Sequence, residues 1–183
     1  DVYKRQALGQ AGVPYRAEAS SLVYEAQEVR DLLAAARAIA DPSDALSLVA
    51  ALRSPLFGCG DDDLWTWKRD GGAFSVIAPP DADRAGHPVA QALVYLRGLH
   101  YDARWMAPSE VLTRLVIDRR MLELAAAGPQ TRDAWRRLRF VVDQARAWSE
   151  SEHGGLRAYL AWAHMQGAET SRVVEAALPE TDA

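Results

Sequence analysis

Apolar residues recur at steps of three and four along most of the chain, which is the spacing of one buried helix face. The clearest case predicts a helix over 25–40, and a short alternating pattern within 11–18 indicates a strand. We therefore expect a mainly α fold of six or seven helices, with one or two short strands near the N-terminus. The other predicted helices begin near 42 and 61 and cover 89–104, 109–126, 132–151 and 156–165.

Turn and capping residues separate these helices. Asp41 and Pro42 suit the start of the helix after residue 40, with Asp44 placed as in a capping box. Pro55 ends that helix, and the segment 71–88 has the glycine and proline content of a long loop. Each predicted helix thus has a recognisable start or stop.

Composition restricts the function. A chain of 183 residues is long enough for one hydrophobic core, and its net charge of −4 argues against a surface coated with basic residues for DNA. Any DNA contact must then come from a local patch. The single cysteine, Cys59, excludes an internal disulfide and a cysteine-based zinc site. No apolar run approaches the roughly 20 residues of a membrane span, so we expect a cytoplasmic location and no membrane partner.

The chain lacks the motifs of the common catalytic sites. A phosphate-binding P-loop needs a Gly-Lys pair, which the sequence does not contain, and the four histidines have no metal-ligand spacing. Asp61, Asp62 and Asp63 share one helical first turn, where capping and the helix dipole explain them better than metal binding. We therefore predict neither a catalytic residue nor a metal site in this chain.

One group of candidate DNA-contact residues is a set of arginines in the helix predicted over 132–151. Arg132, Arg136 and Arg139 are spaced by four and three on one face, and arginine forks suit phosphate oxygens. The alternative is a solvated face on which Asp133 and Asp143 pair with these arginines. Trp135, Trp148 and Trp162 have helical positions that are compatible with burial in the core. Trp65 and Trp67 cannot both face inward on one helix.

The order of three short motifs resembles that of a known protein family. They are Pro14-Tyr15-Arg16, the segment 28–32 (EVRDL) and the segment 53–58 (RSPLFG) followed by an acidic helix start. This run is similar to superfamily 1 DNA helicases of the UvrD/Rep/PcrA type, and most of all to their AddA/RecB helicase–nuclease branch. The detailed likeness covers about residues 8–69. The segment 19–24 departs from it, since the family has a glycine pair followed by aromatics there.

The resemblance implies a fragment of an ATP-driven motor that moves 3′ to 5′ on single-stranded DNA. The fragment would be subdomain 2B with an edge of subdomain 2A, and it would act in DNA repair or recombination by contacting duplex or forked DNA. ATP and Mg belong to the implied full-length protein and none is expected in the fragment, which would be inactive alone. Its expected partners are DNA and the remaining helicase subdomains. The expected division is 1–6 as a non-native adaptor-derived segment, 7–19 as the edge of 2A, 20–172 as 2B and 173–183 as a return linker.

The resemblance also bears on the turn Gly58-Cys59-Gly60. In UvrD-like enzymes a Gly-x-Gly between two 2B helices is implicated in gripping the duplex backbone, and glycines let a phosphate approach closely. The three aspartates that follow would repel a phosphate, so a capped interhelical turn is the alternative. For the chain as a whole, the alternative function is a stand-alone helical protein-interaction module without nucleic-acid binding.

Overall fold

The structure is a computed structural model that describes residues 20–78, 80–128 and 130–176. These residues form α-helices and one short 3₁₀ turn, Ala82–Arg84, and the described ranges contain no strand. The mainly α prediction is confirmed, while the strand expected within 11–18 falls outside the described residues. The helices are α1 (Ser20–Glu25), α2 (Gln27–Ala40), α3 (Ala45–Arg53), α4 (Asp61–Arg69), α5 (Pro88–Asp102), α6 (Pro108–Asp118), α7 (Met121–Ala126), α8 (Thr131–Ser151) and α9 (Leu156–Ala176).

Two breaks make these helices more numerous than the six or seven expected. The helix predicted over 109–126 is interrupted between α6 and α7, where Arg120 adopts a left-handed conformation with φ of 52°. The helix predicted from residue 25 has α1 ahead of it as a separate element, with the break at Ala26. Hydrophobic periodicity runs through both breaks, so it could not reveal them.

Helix α2 is the centre of the bundle. It packs against α1, α3, α5, α6, α8 and α9. Its apolar side chains Val29, Leu32 and Ile39 are fully buried, and so are alanines on its other sides. Alanine is small enough to let neighbouring helices approach closely, which allows one helix to be surrounded. Within the described ranges, no helix has both the length and the apolar character needed to cross a membrane.

The connection between α2 and α3 differs from the predicted one. Helix α3 begins at Ala45, and Asp44 is its N-cap, because the Asp44 carboxylate accepts from Ser47 N–H at 2.9 Å and from the Ser47 hydroxyl at 2.6 Å. Asp41 instead ends α2, where its N–H donates to the Arg37 carbonyl at 2.8 Å. The capping prediction was therefore displaced by three residues.

Replacing Asp44 with alanine should lower the free energy of unfolding by about 1 kcal/mol at pH 7, as for other lost N-caps. The hydrogen bonds from Ser47 hold the pKa of Asp44 below its usual value. Its stabilising effect is therefore present above about pH 4, the unfolded value, and is lost as the pH falls through the folded pKa. Urea denaturation across pH 2–7 measures this. Asp44→Asn keeps the cap without the titration, so a loss at pH 7 as large as that of Asp44→Ala would contradict the assignment.

Candidate nucleic-acid interface

The turn between α3 and α4 contains the first group of candidates. Gly58 has φ of +63°, a left-handed conformation that favours glycine, and open space surrounds the position of a Cβ. Cys59 is buried, 3% exposed, and burial raises the pKa of its thiol. Cys59 thus belongs to the hydrophobic core, whereas Gly60 is exposed at the N-cap of α4.

The backbone N–H groups of this turn are used inside the chain. Gly58 donates to the Ser54 carbonyl at 2.8 Å and Cys59 to the Leu52 carbonyl at 3.0 Å. Gly60 donates to the Asp63 carboxylate at 2.8 Å. These three amides have the pattern of a capped interhelical turn, so a phosphate here would need other donors. DNA contact at Gly58, Cys59 and Gly60 stays a prediction.

An arginine that sequence reasoning missed holds this turn in place. Arg119, at the end of α6, donates through Nε to the Leu56 carbonyl at 2.7 Å. Its guanidinium carbon lies 4.7 Å from the centre of the Phe57 ring and 5.3 Å from that of Tyr95. Such stacking is favourable for a guanidinium on an aromatic face. The turn is thereby fixed against α5 and α6, by a contact 63 residues away in sequence that no local pattern signals.

The second group of candidates forms an exposed surface on α8. Arg132, Arg136 and Arg139 all face solvent, and Arg146 extends the same row by two further turns. We call these four residues the arginine face. The side chains of Arg136 and Arg139 are 79% and 85% exposed.

Two aspartates interleave with the arginine face. Asp133 lies 3.8 Å from Arg136, and Asp143 lies 3.7 Å from Arg139 and 3.5 Å from Arg146. The local pairing expected in the alternative interpretation is therefore present. Exposed ion pairs this long contribute little and exchange readily with other anions. Four guanidinium groups against two carboxylates leave the face with excess positive charge.

The neighbouring arginine, Arg137, turns inward. Its Nη1 lies 3.1 Å from a Glu28 carboxylate oxygen, and only 15% of its side chain is exposed. This pair joins α8 to the central helix α2. Tyr159 adds a contact from α9, donating its hydroxyl to the Val141 carbonyl at 3.2 Å. The arginine face is consequently presented on a helix anchored from its opposite side.

The structure places the six candidates in two separate regions. Helix α8 packs against α2, α6, α7 and α9, whereas Arg119 attaches the turn to α5 and α6. In the part of the chain that the structure describes, no hydrogen bond or ion pair joins the turn to the arginine face. A single DNA contact would have to cover both regions from the outside.

The structure agrees with part of the predicted division of the tryptophans, and it leaves Trp162 half-buried against the core. Trp67 is buried and Trp65 is 66% exposed, so only one of this pair faces inward, as expected. Trp148 is buried, but Trp135 is 44% exposed and the prediction of burial was wrong. Its indole N–H donates to the Leu122 carbonyl at 2.8 Å, which holds the ring at the edge of the bundle beside the short helix α7.

An open cleft of about 630 Å³ lies between α1, α2, α3 and α9. Arg30, Arg37, Arg53 and His164 line it together with acidic residues, among them Asp31. Burial raises the pKa of the Asp31 carboxyl, which accepts from Gln27 at 2.7 Å. The cleft thus combines apolar side chains with charged groups of both signs. Sequence reasoning missed it, although the seven-residue spacing of two arginines on α2 was a signal.

The acidic start of α4 is occupied by contacts within the chain. Asp61 pairs with Arg53 at 2.8 Å, and Asp63 caps its own helix through Gly60. Among the described residues, no group of three or more His, Cys, Asp or Glu side chains is arranged to hold a metal ion. Two of the three aspartates at the start of α4 therefore have local structural roles.

Comparison with known proteins tests the resemblance to the helicase–nuclease branch. The chain is similar to the AddA subunit of the ATP-dependent helicase/nuclease of Bacillus cereus strain G9842, with 26% identity over 159 residues that cover 81% of this chain. The corresponding protein of Bacillus thuringiensis strain Al Hakam is 25% identical over the same length. The resemblance to the helicase–nuclease branch is confirmed. The chain spans 13% of the length of these relatives, and no protein-family model matches it.

The motifs that carry the resemblance to these helicase/nuclease proteins include residues that organise the bundle. Glu28, from the segment EVRDL, is the partner of Arg137. Arg53, from the segment RSPLFG, pairs with Asp61 at the start of α4. In this chain two of the motif positions therefore form ion pairs with other helices.

Proposed function

We propose that this chain is the DNA-contacting accessory subdomain, of the 2B type, of an ATP-dependent 3′–5′ DNA helicase acting in repair or recombination. It performs no chemistry itself. ATP and Mg would be bound by the other subdomains of a cytoplasmic parent protein, and duplex or forked DNA would be the partner. The proposed division assigns 7–19 to the edge of 2A, 20–172 to 2B and 173–183 to the return linker. Similarity to the AddA proteins supports the helicase part of this proposal.

The arginine face is the observation that supports DNA contact. Arg132 and Arg146 are 14 positions apart on one helix, a distance of about 21 Å along its axis. A row of that length can reach several phosphates of one duplex backbone. Because the face is open to solvent and weakly paired, phosphate oxygens can replace the aspartates without a buried contact being broken.

The packing of α1 with α9 supports an accessory subdomain connected at one side. These helices contact one another, and Tyr24 and Glu25 of α1 line the same cleft as Ala163 and His164 of α9. We propose that both connections to the parent protein lie on this side, so that the unit gates the motor by moving as a rigid body.

The test replaces Arg132, Arg136 and Arg139 together with glutamate and measures binding of a forked duplex by fluorescence anisotropy. We expect the wild-type chain to bind weakly with a steep salt dependence. The triple variant should lose about three units of the slope of log K against log salt, one for each phosphate contact. Binding at low salt should weaken at least roughly ten-fold.

The matched control changes three exposed arginines elsewhere, Arg30, Arg69 and Arg120, to glutamate. It carries the same net charge, so equal losses in both variants would mean that only overall charge matters and would contradict the proposed face. The variant Gly60→Glu tests the turn in the same assay. A side chain fits at this position, because the nearest atom to a Cβ there is 3.5 Å away. Unchanged binding in that variant would remove the turn from the interface.

The second candidate function is a protein-interaction module. Exposed apolar side chains favour it, notably Leu46 and Trp65, which are 83% and 66% exposed. The net charge of −4 points the same way. If the wild-type chain binds neither duplex nor forked DNA at low salt, this candidate replaces the first.

A further inference from the structure

An aromatic surface with no assigned role lies at the end of α5 and in the turn that follows. Trp105 is 89% exposed, although tryptophan is among the side chains most often covered in folded proteins. Tyr101, one helical turn earlier, is 39% exposed. The Trp105 backbone N–H donates to the Asp102 carbonyl at 2.9 Å, so the turn itself is ordered by a hydrogen bond. We call Arg97, Tyr101, Arg104 and Trp105 the aromatic ledge.

The ring of Tyr101 is fixed by contacts with its neighbours and holds two arginines beside Trp105. The Arg104 guanidinium lies 4.9 Å from the ring centre and its Nε donates to the Tyr101 carbonyl at 3.3 Å. Arg97 lies 5.7 Å from the same ring centre. The edge of His100 contacts the ring at 5.5 Å between centres, and the Nδ1 of His100 is 2.6 Å from the buried Ile39 carbonyl oxygen. The ring is therefore positioned from both the surface and the core.

The aromatic ledge carries a net positive charge. Within the described ranges, neither Arg97 nor Arg104 has an acidic partner. The one carboxylate on the same turn, that of Asp102, is bound by Arg114 at 2.8 Å. Flat aromatic faces beside uncompensated guanidinium groups suit a ligand that is both planar and anionic.

A groove lies between the segment that follows the aromatic ledge and the arginine face. This open groove, of about 610 Å³, is lined by Ala107 and Arg114 on one side and by Arg146 of the arginine face on the other. Two acids also line it, but both are engaged. Glu110 accepts from the Ala107 N–H at 2.7 Å, and Asp118 lies 3.4 Å from Arg114. The groove is therefore lined by two arginines and two carboxylates, and it separates the positive charges of the arginine face from those of the aromatic ledge.

We infer that the aromatic ledge is a stacking platform for unpaired bases of a single-stranded DNA tail whose duplex portion lies on the arginine face. This inference rests on the proposed function and adds single-stranded DNA to the duplex as a ligand. Every base has a flat face, so stacking on the exposed ring of Trp105 would be independent of sequence. The flanking arginines would neutralise the backbone of the same tail. Positive charge favours nucleic acid over an apolar protein surface as the occupant.

The test compares a blunt duplex with the same duplex carrying a single-stranded oligothymidine tail, using the full 183-residue chain. Trp105→Ala should weaken binding of the tailed DNA roughly ten-fold, the usual effect of removing one stacking side chain, and leave the blunt duplex unchanged. Trp105→Phe should retain most of the affinity, because a ring remains. Trp65→Ala is the matched control, since it removes another exposed tryptophan outside the aromatic ledge.

The outcomes separate this inference from the proposed function. If the wild-type chain binds blunt and tailed duplex equally well, or if Trp105→Ala binds the tailed DNA like wild type, the stacking platform is wrong while the arginine face stands. An equal loss on both DNAs would mean that Trp105 contacts the duplex or shapes the fold, and would overturn the inference. Oligomerisation abolished by Trp105→Ala, with DNA binding intact, would assign the ledge to a protein partner.

Discussion

Replacing Arg137 with leucine should lower the free energy of unfolding by about 2–3 kcal/mol, because it leaves the carboxylate of Glu28 without its buried partner. The two side chains are only 15% and 22% exposed and lie 3.1 Å apart, between the central helix α2 and α8. Leucine keeps most of the apolar contact of the arginine stem, so the lost charge pair dominates the effect. The remaining exposure of Glu28 keeps the expected cost below that of a fully buried charge.

Urea denaturation followed by circular dichroism measures this loss, and the chain supplies a matched control in the next residue back. Arg136→Leu removes an arginine of the same helix whose side chain is 79% exposed, and we expect a change within about 0.5 kcal/mol. The double variant Glu28→Leu with Arg137→Leu should recover part of the stability, since the Glu28 carboxylate is then no longer left without its partner. If Arg136→Leu and Arg137→Leu were equally stable, the inward position of Arg137 would be wrong.

The contrast between Arg136 and Arg137 shows the limit of what hydrophobic periodicity predicts about a helix. Periodicity alone assigns the apolar face of this helix to Trp135, Leu138, Val142 and Ala145. The structure buries a slightly rotated set, Ala134, Leu138, Val141, Ala145 and Trp148. Ala134 is buried where Trp135 was expected, and Trp135 is 44% exposed. The rotation brings Arg137 to the edge of the core, and only the position of Glu28 on another helix reveals that.

At the candidate sites, features that depend on neighbouring residues were predicted better than contacts between distant helices. The predicted mainly α fold, the start of α4 at Asp61 and the opposed positions of Trp65 and Trp67 all depend on residues within one or two turns, and the structure agrees with them. The contact of Arg119 with Leu56 depends on how α6 meets the turn between α3 and α4. Periodicity contains no information on such meetings, because it describes one helix at a time.

Gly72→Ala should also destabilise the chain by about 2–3 kcal/mol, through steric overlap in the core. A Cβ at this position would lie 2.3 Å from Cε2 of the Trp67 ring. The ring cannot easily move, because Trp67 is 3% exposed and its indole N–H donates to the Ala73 carbonyl at 3.1 Å. The Gly72 backbone is equally restrained, since its N–H donates to the Trp67 carbonyl at 2.8 Å.

The same substitution elsewhere in the chain should have the opposite sign. Gly98 lies inside α5, and no atom lies within 4 Å of where its Cβ would be, so Gly98→Ala should raise the free energy of unfolding by about 0.5–1 kcal/mol. Comparing the two variants by urea denaturation separates steric overlap from the general effect of adding a methyl group. A Gly72→Ala variant as stable as wild type would mean that the Trp67 ring does not pack on this glycine. In that case the ring would not anchor the start of the long loop 71–87, and that loop would have to be held to α4 by other contacts.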